Sequence, residues 1–188
     1  MTAARVLSEV RRASGLSQRA LASRAKITQP ALAAIETAEH DTRGSTLERV
    51  VAAAGYRLFA LPTTAHAAAD WAEEIYQELR SARRSEAVAF RALIGLSDDL
   101  SSAARDLRVA LCVAPPPPCG DTRFDAAVAA VVEYHLERDG LPIPAWVNDA
   151  TRSLPEPWVA TPGLEDGEVP PAFARHGVLL AASELASV

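Results

Sequence analysis

The stretch from Ser17 to Glu36 restricts this 188-residue chain more than any other. It reads Ser-Gln-Arg-Ala-Leu-Ala-Ser-Arg-Ala-Lys-Ile-Thr-Gln-Pro-Ala-Leu-Ala-Ala-Ile-Glu, and it predicts two short helices joined by a tight turn. Ser17 and Thr28 stand where N-caps belong, each able to accept from backbone N–H groups that lack a partner within the helix. Pro30 falls in the first turn after Thr28, where its missing N–H costs nothing and its fixed φ suits a helix. Leu21, Ile27, Leu32 and Ile35 are the apolar positions, and Ala22 is small enough for two helices to cross closely.

Two helices so joined make a helix-turn-helix, whose second helix is the element that enters a major groove. The residues and spacing resemble the Xre/Cro/C1-type DNA-binding family from about Val6 to Leu58. The resemblance implies that Gln18 contacts a phosphate and that Thr28, Gln29, Pro30, Ala31 and Ala34 face bases. It also implies that Glu36 closes the third helix. Lys26 occupies the turn position where that family usually has Gly, so here a non-glycine residue is expected in the left-handed region.

Residue chemistry leads to the same surface. Ser17 and Gln18 begin a helix whose N–H groups favour an anion, and Arg19, Lys26 and Arg43 add cations for the DNA backbone. Gln29 is the candidate base reader, because a side-chain amide makes two hydrogen bonds to adenine. Pro30, Ala31 and Ala34 offer apolar contact, for instance to thymine methyls.

Charge separates the chain into two parts. Residues 1–61 carry nine basic and five acidic side chains, a net +4. The whole chain is −5, so the remainder is −9. A basic head on an acidic body predicts that only the head approaches polyphosphate, the body being left for a protein partner.

Helix one is expected over about Ala3 to Ser14, with Val6, Leu7 and Val10 inward and Gly15 ending it. Helix four follows a polar loop, capped by Thr46 or Ser45, with Leu47, Val50, Val51 and Ala54 inward. Residues 56–61, Tyr-Arg-Leu-Phe-Ala-Leu, alternate as a short strand does. Pro62-Thr63-Thr64 reads as the domain boundary. Beyond it, one helix carries Ala68, Trp71, Ile75, Leu79 and Ala82, and another runs from Glu86 to Leu96. A third is capped by Ser97, with Asp98 and Asp99 as first-turn acids and a stripe of Leu100, Ala104, Leu107 and Leu111. Pro115 to Pro118 predict a rigid polyproline spacer. A helix over Asp121–Asp139 follows, then loops over 154–170, a short strand at Val178–Leu180 and a final turn.

The fold expected is mainly α: a four- to five-helix Cro/C1-type domain over 1–61, then a helical region with short irregular or β segments. That region divides into a possible dimerisation segment at 65–113, a proline-rich linker at 114–120 and a partner-binding part at 121–188. The apolar stripes of 65–111 are the expected dimer surface. Trp146, Trp158 and Phe173 are assigned to partner binding, packing anchors being the other reading of the two tryptophans.

Nothing in the chain carries a nucleophile elbow, a P-loop or a dinucleotide fingerprint, and no cofactor or enzymatic activity is expected. His135 with Glu133, Glu137 and Asp139 could be drawn as an acid–base cluster. On a helix, however, His135 shares a face with Val131 and Val132, which favours a buried structural histidine. Cys112 and Cys119 are read as free thiols, since no His lies at a metal-ligand spacing. No apolar run spans a membrane and no secretory signal opens the chain, so a cytoplasmic protein is expected.

The tail brings a second resemblance. Residues 133–146 (Glu-Tyr-His-Leu-Glu-Arg-Asp-Gly-Leu-Pro-Ile-Pro-Ala-Trp), 156–158 (Glu-Pro-Trp) and 170–180 (Pro-Pro-Ala-Phe-Ala-Arg-His-Gly-Val-Leu-Leu) resemble the C-terminal region of actinobacterial antitoxin-like regulators. That likeness implies repression of its own operon and neutralisation of a nucleotidyltransferase-type toxin. The expected partners are therefore double-stranded operator DNA, a second copy of the chain and a cognate toxin. The alternative is a ligand-responsive repressor whose C-terminal domain senses a small molecule in an apolar pocket.

Overall fold

The computed structural model describes residues 3–38, 42–60, 62–81, 85–164 and 168–185. The chain divides into two compact units, Met1–Pro62 and Thr63–Val188.

The first unit consists of α1 (Ala3–Ala13), α2 (Gln18–Arg24), α3 (Gln29–Glu36) and α4 (Gly44–Ala53) among its described residues. Each contributes an apolar stripe to one small core. Leu7, Leu21, Ala22, Ala25, Leu32, Ile35, Val50, Val51 and Ala54 are buried, with Val6, Val10, Leu16, Ile27 and Leu47 packed around them. Two details differ from the sequence reading. Helix α4 begins at Gly44, and its N-cap position is Arg43, which makes no side-chain cap; Ser45 and Thr46 lie inside the first turn. Residues 56–60 form no strand and pair with no other segment among the described residues. Leu61, the last residue of that expected strand, lies outside the described residues.

The second unit is built around α8 (Thr122–Arg138). From Ala126 to Val132 every residue of this helix is fully buried. A helix apolar on all sides must be covered on all sides, and α5 (Ala68–Arg80), α6 (Glu86–Ser102), α7 (Arg105–Cys112) and α9 (Pro171–Arg175) cover it. Short 3-10 turns at Ala145–Asn148, Ala150–Arg152 and Ala182–Leu185 close the ends. Strand β1 (Trp158–Val159) pairs in parallel with β2 (Val178–Leu179), Trp158 opposite Val178. The sequence reading had only a loop at β1.

Several expectations for this unit are revised. Ser97 starts no helix. Helix α6 runs through it, because Leu93, Leu96 and Leu100 continue one buried stripe and the Ser97 hydroxyl points inward. The break falls at Ala103, where the backbone turns extended. There Arg108 donates to the carbonyls of Ser101 (3.3 Å) and Ala103 (2.9 Å), which the helix end leaves without partners. Asp99 serves no helix N-terminus; it accepts from the Trp71 indole at 2.9 Å and from the His66 N–H at 2.8 Å.

The proline run is not a free spacer either. Pro116 and Cys119 are buried, and the Pro116 carbonyl accepts from Arg152 at 2.6 Å. The segments on either side of it share one core. The stripes of 65–111 turn Ala68, Ile75, Leu93, Leu96 and Leu100 into that core, with Trp71, Leu79 and Leu107 partly buried against it.

Candidate nucleic-acid interface

Helix α2 is capped as its sequence dictates: Ser17 Oγ accepts from the Ala20 N–H at 3.1 Å. Its other end closes on Lys26, at φ 55°, with the Lys26 N–H bonded to Ser23 O (3.2 Å) and the Ile27 N–H to Ala22 O (3.0 Å). That is the paired closure by which a left-handed residue satisfies the last carbonyls of a helix. A lysine thus takes the conformation a glycine would adopt more cheaply. The turn delivers Thr28, whose Oγ1 accepts from the Ala31 N–H at 3.3 Å and starts α3.

Helix α3 is two-faced. Leu32 and Ile35 are buried against the core. Thr28, Gln29, Pro30 and Ala31 are exposed at its leading end, and Ala34 is half-buried beside them. The five residues read as base-facing therefore lie together on and just before one short helix. Of those assigned to phosphate, Ser17, Arg19, Lys26 and Arg43 are exposed. Arg19, Lys26 and Arg43 make no ion pair among the described residues, so their charges are open to a polyanion.

Gln18 is placed differently. It is half-buried, and its Nε2 donates to Glu36 Oε2 at 2.7 Å. Glu36 Oε1 accepts from Arg11 Nε, also at 2.7 Å. The amide is thus oriented from behind by the carboxylate, leaving its second N–H and its carbonyl for other contacts. Arg11, counted in the sequence only as one charge among nine, is the residue that fixes this geometry. Its separation of 25 residues from Glu36 left no local signal.

In the second unit, two of the three residues assigned to partner binding are core. Phe173 is fully buried, and Trp146 is buried with its indole N–H on the Cys112 carbonyl at 2.9 Å. Neither side chain is accessible to a partner while the unit is folded. Trp158 is half-exposed, tilted against the Phe124 ring and beneath the Arg123 guanidinium.

The acid–base cluster drawn around His135 is dispersed. Glu133 turns instead to His176 Nε2 (2.7 Å) and Arg175 Nε (3.0 Å), while His176 Nδ1 meets the Arg152 carbonyl at 2.6 Å. These contacts tie α8, the 150–152 turn and α9 together. A cleft of about 540 Å³ is lined by Thr122, Asp125, Arg152 and Leu154. Its charged groups are occupied with each other, Arg152 Nη1 lying 3.0 Å from Asp125 Oδ1. Both cysteines are buried and free.

Residues 7–61 match the family model described as Helix-turn-helix. Comparison of the chain with curated proteins and with solved structures gives no match. The first unit is thus a helix-turn-helix domain, and the match supports a DNA-binding transcription regulator. Among the described residues no helix is long and apolar enough to cross a membrane.

Proposed function

We propose that the protein is a sequence-specific repressor that binds operator DNA as a homodimer, with Gln29 as the main base reader. The observation that carries this reading is the division of α3. Its rear face is sealed into the core, and Thr28 to Ala31 stand exposed at its leading end, in a unit of net positive charge. Two copies are needed because one helix this short covers only a few base pairs. The phosphate contacts belong to Ser17, Arg19, Lys26 and Arg43, with Gln18 held ready by Glu36.

The acidic second unit supplies the protein-binding half, an antitoxin module for a nucleotidyltransferase-type toxin. Its net charge of −9 supports a basic partner surface and disfavours DNA. Trp158 is the one assigned aromatic left half-exposed for that contact.

A gel-shift series on the chain's own promoter, against scrambled duplex and across salt, tests the DNA half. Specific binding that weakens log-linearly with salt is expected. Equal binding to both duplexes would refute sequence-specific repression. Purification of the tagged chain from its native host tests the partner half. A stoichiometric toxin subunit is expected, and recovery of the chain alone counts against the antitoxin role.

A further inference from the structure

We infer that the cleft between the proline run, the start of α8 and the 151–155 turn is a binding site for a small organic ammonium, a primary amine on a compact apolar body. The inference stands apart from the operator-binding reading and from the partner contact at Trp158, since none of its residues belongs to either.

The charged pair in the cleft is fixed by the fold itself. Arg152, 8% exposed, donates to the Pro116 carbonyl at 2.6 Å and to Asp125 Oδ1 at 3.0 Å, with its guanidinium over the Trp146 ring. Asp125 Oδ1 also accepts from the Cys119 N–H at 2.9 Å. Both donors therefore fall on one oxygen. Oδ2 has no partner among the described residues, although the side chain is only 14% exposed. A carboxylate has room for about four donors, and a polar group this buried calls for one at each oxygen. The hydroxyls of Thr122 and Thr151, which line the same cleft, likewise make no hydrogen bond among the described residues. Pro118, Leu154 and Pro155 supply apolar walls. A cleft of about 540 Å³ with apolar walls and a few polar groups set among them is the usual form of a small-molecule site.

The polarity of these groups selects the ligand. A carboxylate oxygen accepts, so the ligand must donate. An anion would meet that carboxylate in a unit of net charge −9. The start of α8, which could otherwise attract an anion, is already capped by Asp121. A guanidinium or amidinium grips a carboxylate through both oxygens, and Oδ1 is taken. An ammonium needs only one oxygen, and it has two further N–H groups for the two threonine hydroxyls. The apolar body of the amine is then left to Pro118, Leu154 and Pro155.

Amide NMR of the full-length chain with three compounds of one shape, benzylamine, benzyl alcohol and benzoate, tests the site. Benzylamine should bind in the millimolar range expected of so small a molecule and shift the amides of Cys119 to Asp125 and of Thr151 to Leu154. Benzyl alcohol, which donates without a charge, should bind about tenfold more weakly. Benzoate should not bind. Asp125→Asn keeps an acceptor for Arg152 and the Cys119 N–H but puts a donor in place of Oδ2, so it should lose benzylamine. Thr122→Trp, at an exposed position, should block the cleft with the fold intact, whether or not the Asn variant folds. Three results each overturn the site: no benzylamine shift in either segment up to the solubility limit, benzoate binding as well as benzylamine, or undiminished benzylamine affinity in folded Asp125→Asn or in Thr122→Trp. Equal binding of benzyl alcohol and benzylamine overturns the ammonium assignment.

Discussion

The carboxylate of Glu36, in the last turn of α3, lies 2.7 Å from Arg11 of α1, with side-chain exposures of 7% and 22%. The same carboxylate holds Gln18, so one acid registers the start of α2 and the end of α3 against α1. Removing Arg11 leaves a largely buried charge with only the amide for support. Arg11→Ala should lower stability by about 1–3 kcal/mol, the usual cost of orphaning a buried polar group. Glu36→Ala should cost a similar amount and also release Gln18, weakening DNA binding. Urea unfolding and gel shifts on the same two variants check both effects.

The proposed division between base reading and phosphate contact gives distinct signatures. Gln29→Ala should reduce discrimination between operator and scrambled duplex by about 1–3 kcal/mol with little change in salt dependence. Arg19→Ala and Lys26→Ala should weaken both duplexes alike and flatten the log–log salt slope by about 0.9 each. Salt titrations of the three variants on two duplexes decide between the roles.

His135 sets an acid limit on stability. Ser97 Oγ gives its one proton to the Leu185 carbonyl at 2.7 Å, so the His135 contact of 2.9 Å is Nε2–H donating to that oxygen. His135 Nδ1 is buried without a partner among the described residues. Burial first, then Arg138 and Arg108, push the imidazole down from 6.5 to about 4. The unfolded chain therefore binds the extra proton between those values and the folded one does not. The contribution is fully present above pH 6.5 and lost as pH falls towards 4, roughly 3 kcal/mol in all. A His135→Leu variant should show a flatter stability curve over that window, measured by denaturant unfolding at several pH values.

Gly95 of α6 lies directly against the Trp71 ring of α5. A methyl group there would stand 2.4 Å from the Trp71 ring, whose indole N–H is fixed on Asp99. Alanine favours a helix interior by about 1 kcal/mol over glycine. Overpacking against a fixed ring costs about 1–3 kcal/mol. Gly95→Ala should therefore be net destabilising, and Gly95→Ala combined with Trp71→Leu should recover part of the loss in thermal melts.

Burial pushes the Cys112 thiol up to about 12, despite the opposing pull of Arg108. The Cys119 thiol is raised further by burial and by Asp125. The thiolate is the reactive form. Native protein should therefore react with a thiol reagent only as fast as it opens, and two thiols should appear at once in denaturant. Fast native labelling of either cysteine would contradict the packing described for the 112–119 segment.

Where a residue's job is local, the amino-acid order was enough. Ser17 and Thr28 cap because their hydroxyls meet backbone N–H groups three residues on, and Lys26 turns left-handed because α2 must close before Ile27 can reach the core. The placement of Gln29 and its neighbours on one exposed end follows from the 3.6-residue period that buries Leu32 and Ile35. Tertiary structure decided what distance along the chain conceals. Ser97 carries the same cap signal as Ser17, yet Leu185, 88 residues away, claims its proton and α6 runs on through it. Glu133 finds His176 rather than its helix neighbour His135, and Arg152 converts a proline spacer into a wall of the core. The physical reason is the range of the forces. Caps, turns and periodicity act within about one turn of helix, whereas a buried polar group must be satisfied by whatever the fold brings alongside it.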